Sequence, residues 1–169
     1  MRVKKITLKI IEKTAKKNNT DISEFFAVFM AGIALKRDFD VLIKSYDLDE
    51  KEKEILKDFF NFLKNDLINE KDEFINNFIE VVDLKSVFKN SALFFAVFIP
   101  ENILESKNAD KIRNSLKNYP IEIQEAIIKS LEMLSLANTD IDKELKLQIL
   151  REVINTIILL TFIIGEFNA

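Results

Sequence analysis

The sequence predicts an all-α fold built from two tandem related multi-helix units, and three observations lead there. Its 169 residues include only 2 Gly and 2 Pro, too few for the frequent tight turns of a β-rich chain. Apolar residues recur at spacings of three and four, as at Ile55, Leu56, Phe59, Phe60 and Leu63, which is the stripe of an amphipathic helix. The word Phe25-Phe26-Ala27-Val28-Phe29 returns unchanged as Phe94-Phe95-Ala96-Val97-Phe98.

The internal match runs well beyond that word. At an offset of 69 residues (25 to 94), Asp21 meets Asn90, Met30 meets Ile99, Leu35 meets Leu104 and Lys44 meets Arg113. Past Tyr46 to Asp49 the offset becomes 72 (55 to 127), pairing Ile55 with Ile127, Leu56 with Ile128, Phe59 with Leu131 and Phe62 with Leu134. The register then holds through Lys71 and Lys143, Phe78 and Leu150, Glu80 and Glu152, and Val82 and Ile154. The one change of length falls at Asn118-Tyr119-Pro120, where a connecting loop tolerates insertion. A helical unit with one apolar face cannot bury that face alone, and a second copy beside it supplies the missing surface. The expected organisation is a single all-α domain over 1–169. Its repeats span approximately 3–89 and 72–165, and the shared segment 70–89 is the equivalent of the first and last helices. They form either a helical-repeat array or a pseudo-two-fold bundle.

Taken in order, residues 3–17 read as a helix with Val3, Ile10 and Thr14 on one side, Ile6 near the boundary and Ile11 and Ala15 close by. The alternation of Ile6, Leu8 and Ile10 with Thr7 and Lys9 also fits a strand. Asp21 is an N-cap, with Glu24 three residues on to complete a capping box. Asp49 opens the helix through Ile55 and Phe59, and a further helix is expected from about Glu70 to Lys89 through Phe74, Phe78, Val81 and Val82. The second copy gives helices from Ser91, from Asp110, from Pro120 and from Asp140 to Ile164. Pro100 aligns with Ala31 and Glu101 with Gly32. Proline lacks an amide donor and glycine costs about 1 kcal/mol in a helix interior, so a kink or break is expected after each Phe-rich word. The only tyrosines, Tyr46 and Tyr119, fall in equivalent loops, where each ring is expected to plug the end of the core with its hydroxyl in water.

Residue types narrow the chemistry sharply. The absence of His and Cys removes the usual general base near neutral pH, nitrogen and sulfur metal ligands, disulfides and any Ser-His or Cys-His pair. Gly32 and Gly165 alone cannot make a phosphate loop. Carboxylates remain, in the runs Asp47, Asp49, Glu50, Glu52, Glu54 and Glu70, Asp72, Glu73, with Asp38 and Asp40 around Phe39. These sit among lysines at helix starts, where acids favour the helix dipole, and they read as solvated faces ahead of an oxygen-ligand metal site. No catalytic residue, metal or cofactor is assigned.

Charge is uneven. Residues 1–20 hold Arg2, Lys4, Lys5, Lys9, Lys13, Lys16 and Lys17 against Glu12, a formal +6 that leaves −9 on the remainder for the net −3. The cations Arg2, Lys5, Lys9, Lys13, Lys16 and Lys17 are the candidate anion or partner contact, meeting phosphates, an anionic membrane or an acidic protein surface. The alternative is that they dock on the chain's own acids. At the other end, Val153 to Ile164 is nearly continuous and apolar, interrupted by Asn155, Thr156 and Thr161 and closed by Gly165 and Glu166. It falls short of the about 20 residues of a membrane span, so no transmembrane segment is expected. A helix apolar all round is buried or covered by a subunit, and Ile157, Leu160 and Ile164 are the candidate subunit contact. With no secretory signal evident, the expectation is a cytoplasmic, non-enzymatic helical protein acting through protein contacts or as a homo-oligomer. Nucleic-acid binding through the basic first helix is the alternative, and an enzyme limited to Asp, Glu, Lys or Tyr comes third.

Overall fold

Helices joined by short loops account for nearly all of the computed structural model, which describes residues 4–106 and 108–168, with the backbone alone at 101, 105 and 106. No strand occurs among the described residues. The order is α1 (Lys5–Lys17), α2 (Ile22–Ala34), α3 (Phe39–Leu42), α4 (Glu50–Asn65), α5 (Leu67–Val81), α6 (Leu84–Ala96), α7 (Glu101–Ser106), α8 (Ala109–Ser115), α9 (Ile121–Ala137) and α10 (Lys143–Phe167). The helical reading of the first segment therefore holds over the strand alternative.

Two apolar helices organise the packing. α2 is buried along almost its whole length and is surrounded by α1, α3, α4, α6 and α10. α10 runs against α2, α5, α6 and α9, and one connected core extends from Leu8 to Ile164. The first Phe-rich word lies within α2, whereas the second runs off the end of α6, with Val97 and Phe98 beyond Ala96; the two helices pack against each other, but the words sit in different settings. In α2, Phe26 meets Phe74 and Phe78 at 5.6 and 5.0 Å, and Phe29 stacks on Phe60 at 5.6 Å. In the second word Phe94 contacts only Phe95 and Phe98 among described rings, each at 5.3 Å. The aligned partners Leu131, Leu134 and Leu150 are aliphatic, so the aromatic network cannot recur there.

Helix ends show which local signals prevailed. The capping box expected at Asp21 is absent: Asp21 accepts from the Ser23 amide, and Glu24 instead accepts from the Tyr46 hydroxyl at 2.8 Å. A box does form at Asp49 and Glu52, with reciprocal bonds of 2.8 and 3.0 Å. The expected 70–89 helix is divided. Val82 is extended (φ −73, ψ 150), and Asp83 accepts from both the amide and the hydroxyl of Ser86, at 3.0 Å each. That local capping competes with continuation of the helix, so α6 starts at Leu84 and not at Ser91. With so few glycines, the left-handed positions after α1 and α2 fall to Asn19 (φ 58) and Lys36 (φ 59). Each completes a Schellman end, through Thr20 to Ala15 and Arg37 to Gly32 backbone bonds of 3.0 and 2.8 Å.

The paired kinks are not found. α6 does end before Pro100, but α2 continues through Gly32 to Ala34. Gly32 serves close approach: a Cβ there would lie 2.4 Å from Leu42 Cδ1, so its small size seats α3 on α2. Nor does Gly165 end the last helix, which continues through Glu166 to Phe167. At 25 residues α10 is long and apolar enough to cross a membrane by length and composition, contrary to the shorter span expected, yet half of its most apolar window is buried against its neighbours. Those contacts are those of a core helix.

Candidate functional site

The basic face of α1 is partly committed to the chain's own acids. Lys5 pairs with Glu80 of α5 at 2.8 Å and Lys17 with Glu52 of α4 at 2.6 Å. These contacts hold the Glu80 carboxyl below its usual range; Glu52 is lowered first by the Asp49 amide and then by Lys17. Lys9, Lys13 and Lys16 remain exposed without an ion pair among the described residues. Arg2, and Val3 beside it, lie outside the described residues. The buried side of α1 is Leu8, Ile11, Thr14 and Ala15, while Ile6 and Ile10 point outward at 67% and 44% exposure. The apolar stripe drawn through Ile10 and Thr14 was therefore turned by part of a helical step, and the outer face mixes lysines with two isoleucines.

The candidate subunit contact needs a correction. Ile157, Leu160 and Ile164 are buried in the chain's own core, where α2, α5, α6 and α9 cover α10. The outward residues are Leu159 and Ile163, followed one turn on by Phe167, whose ring lies 5.0 Å from Tyr119. Beside them is an apolar groove of about 440 Å³ between α9 and α10, floored by Ile123, Ala126 and Leu160. A signal for this face was present: Glu152, Thr156 and Glu166 share the spacing of Leu159 and Ile163, and such polar positions mark a helix's outer side.

Where α1, α2 and α6 meet, a buried polar junction escaped the sequence reading. Asp21, only 2% exposed, accepts from Ser23 through one carboxylate oxygen and from the Asp83 amide, at 3.3 Å, through the other. Asn90, its aligned counterpart, donates to the Ser23 hydroxyl at 2.8 Å. Glu12 reaches the same place: its Oε2 accepts from the Ile22 amide at 3.5 Å, and its Oε1 is buried with no donor. Burial first, and then the Asp21 carboxylate, push Glu12 up to about 7. Both causes favour the neutral, protonated form of Glu12. Glu12 is the lone acid in a basic segment, and no periodicity distinguishes a carboxylate that turns inward at a helix junction.

The tyrosines also differ from each other. Tyr46 is half-buried, edge-on to Phe25 at 4.8 Å, with its hydroxyl on Glu24 and not in water, and burial followed by Glu24 raises its pKa. Tyr119 packs on Phe167. Among the described residues no three acidic side chains converge as a metal-ligand set. Asp49 and Glu52 serve as helix caps, and Glu50 lies 3.8 Å from Lys53 on the surface. Comparison of the chain with protein-family models, with curated proteins and with solved structures gives no match.

Proposed function

We propose that this is a non-enzymatic, cytoplasmic helical protein that works through protein contacts, its first partner being a second copy of itself. The observation that carries the reading is the apolar strip of Leu159 and Ile163, which line the α9–α10 groove, continued one turn on by Phe167. A ridge and a groove on one face are self-complementary, as a two-fold contact between identical chains requires. A clustered strip of this kind marks an interaction surface, in contrast to scattered single residues. The division into two related units is part of the same proposal. It is supported by the recurring word and by matched burial at Phe25 and Phe94, Phe26 and Phe95, Leu56 and Ile128, and Phe62 and Leu134.

Light scattering coupled to gel filtration tests the self-association. The wild type is expected at the mass of a dimer and the Leu159→Glu/Ile163→Glu variant at that of a folded monomer. A wild type that stays monomeric at high concentration removes the proposal. The second reading, nucleic-acid binding through α1, has the exposed Lys9, Lys13 and Lys16 in its favour. It requires binding that weakens as salt rises and that is lost when Lys9, Lys13 and Lys16 are replaced by Glu; insensitivity to either rules it out.

A further inference from the structure

A second groove, of about 550 Å³, lies between α6 and α9, with Leu104 of α7 also in its lining. This volume is within the range of small-molecule sites, about 300–1,000 Å³. Its floor is apolar, built from Phe88, Leu131 and Leu134, which are buried, and the half-buried Ala92. Its mouth is cationic. Lys85 and Lys89 stand one turn apart on α6, so they share a face, and neither has an ion pair among the described residues. Asp83, which caps α6 by accepting from Ser86, stands beyond ion-pair distance of Lys85. A smaller hollow of about 200 Å³, lined by Ala109, Ile112, Ile128 and the exposed Glu132, shares Leu131 and Ser135 with the groove. From Asn138 to Ile128 the path along α9 is about 15 Å at 1.5 Å per residue, about the reach of a dodecanoyl chain.

An anion with no apolar body would leave the floor empty, and an uncharged hydrocarbon would gain nothing from the two ammonium groups at the mouth. From this pairing we infer that the α6–α9 groove binds an anionic amphiphile, a medium-chain carboxylate whose head lies between Lys85 and Lys89 and whose tail runs along Phe88, Leu131 and Leu134 toward Ile128. The site is separate from the α9–α10 strip and does not depend on self-association.

Calorimetric titration of the full chain with sodium decanoate below its micelle concentration tests this, with decanol and decyltrimethylammonium as neutral and cationic counterparts. One saturable site per chain is expected for decanoate, with at least tenfold weaker binding of both counterparts. Lengthening the tail from octanoate to dodecanoate is expected to tighten binding by up to about fourfold per methylene, from about 0.8 kcal/mol per buried CH₂. Lys85→Gln/Lys89→Gln, at two exposed positions, is expected to lose at least tenfold. Ile163→Lys, on the other apolar face, should leave decanoate binding unchanged while affecting self-association. Absence of saturable decanoate binding, equal binding of decanol, indifference to the lysine exchange, or loss in Ile163→Lys each overturns the inference. Ala92→Trp fills the groove and adds the chain's only tryptophan. Retained decanoate binding by a folded Ala92→Trp variant also overturns it, and should that variant not fold, the lysine exchange decides.

Discussion

At the scale of single residues, Glu12 carries the most consequential chemistry. Its ordinary value of 4.5 rises to about 7 in the fold. Between those values the folded chain holds a proton that the unfolded chain has released, so stability declines as pH rises from about 4.5 to 7 and the full loss is in place above 7. Lys16 pulls in the opposite direction, and solvent on the open side screens the charge, which moderates the loss. Glu12→Gln keeps a neutral donor for Asp21 at every pH. Its melting temperature relative to wild type is expected to rise between pH 5 and pH 8, by a few degrees at the upper end; an equal difference at the two pH values contradicts the assignment. None of this was legible in the sequence, where Glu12 stands among lysines. What turns it inward is the meeting of α1 with the α2 cap at Asp21.

Among the elements, the two glycines distinguish close approach from simple helix cost. In α2 a methyl group on Gly32 would meet Leu42 Cδ1 and Cδ2 at 2.4 and 2.8 Å, whereas on Gly165 in α10 it meets nothing nearer than Lys36 Nζ at 3.7 Å. Gly165→Ala is therefore expected to stabilise by about 1 kcal/mol through helix propensity. Gly32→Ala is expected to destabilise by about 1 kcal/mol, because overpacking at about 1–3 kcal/mol outweighs the same propensity gain. In a Leu42→Ala background the Gly32→Ala change should turn favourable by about 1 kcal/mol, the non-additivity expected of residues in contact. Denaturant unfolding of the four combinations checks this, and additive effects would show that α3 does not seat on Gly32. Helix identity was readable along most of the chain because the three-and-four spacing is local. Boundaries were less so: the break at Val82 and the start of α6 depend on Asp83 taking Ser86 as its capping partner, a competition that the apolar stripe through Val81 and Val82 conceals.

For the whole molecule, the position of α10 decides which apolar residues are core and which are available for contact. Ile157 is 1% exposed and Leu159 is 39% exposed, two residues apart on the same helix. Ile157→Ala is expected to cost about 2–5 kcal/mol, as removal of a buried side chain does, and Leu159→Ala less than about 1 kcal/mol in the monomer, measured by chemical unfolding at low protein concentration. Comparable costs at the two sites would mean that the helix is turned differently from the arrangement described. The amino-acid sequence by itself determined the all-α class, most of the helices, the caps at Asp49 and Asp21, and the absence of His and Cys, which leaves carboxylates, lysines and arginines as the main ionic groups. These follow from side-chain spacing and local hydrogen bonding within a few residues. Only the tertiary structure decided that Ile157, Leu160 and Ile164 face inward, that Lys5 and Lys17 are taken by Glu80 and Glu52, and that the two Phe-rich words meet across α2 and α6 in unlike surroundings. Which side of an apolar helix is covered, and which charge finds a partner, depends on neighbours distant in the chain, and no local periodicity encodes them.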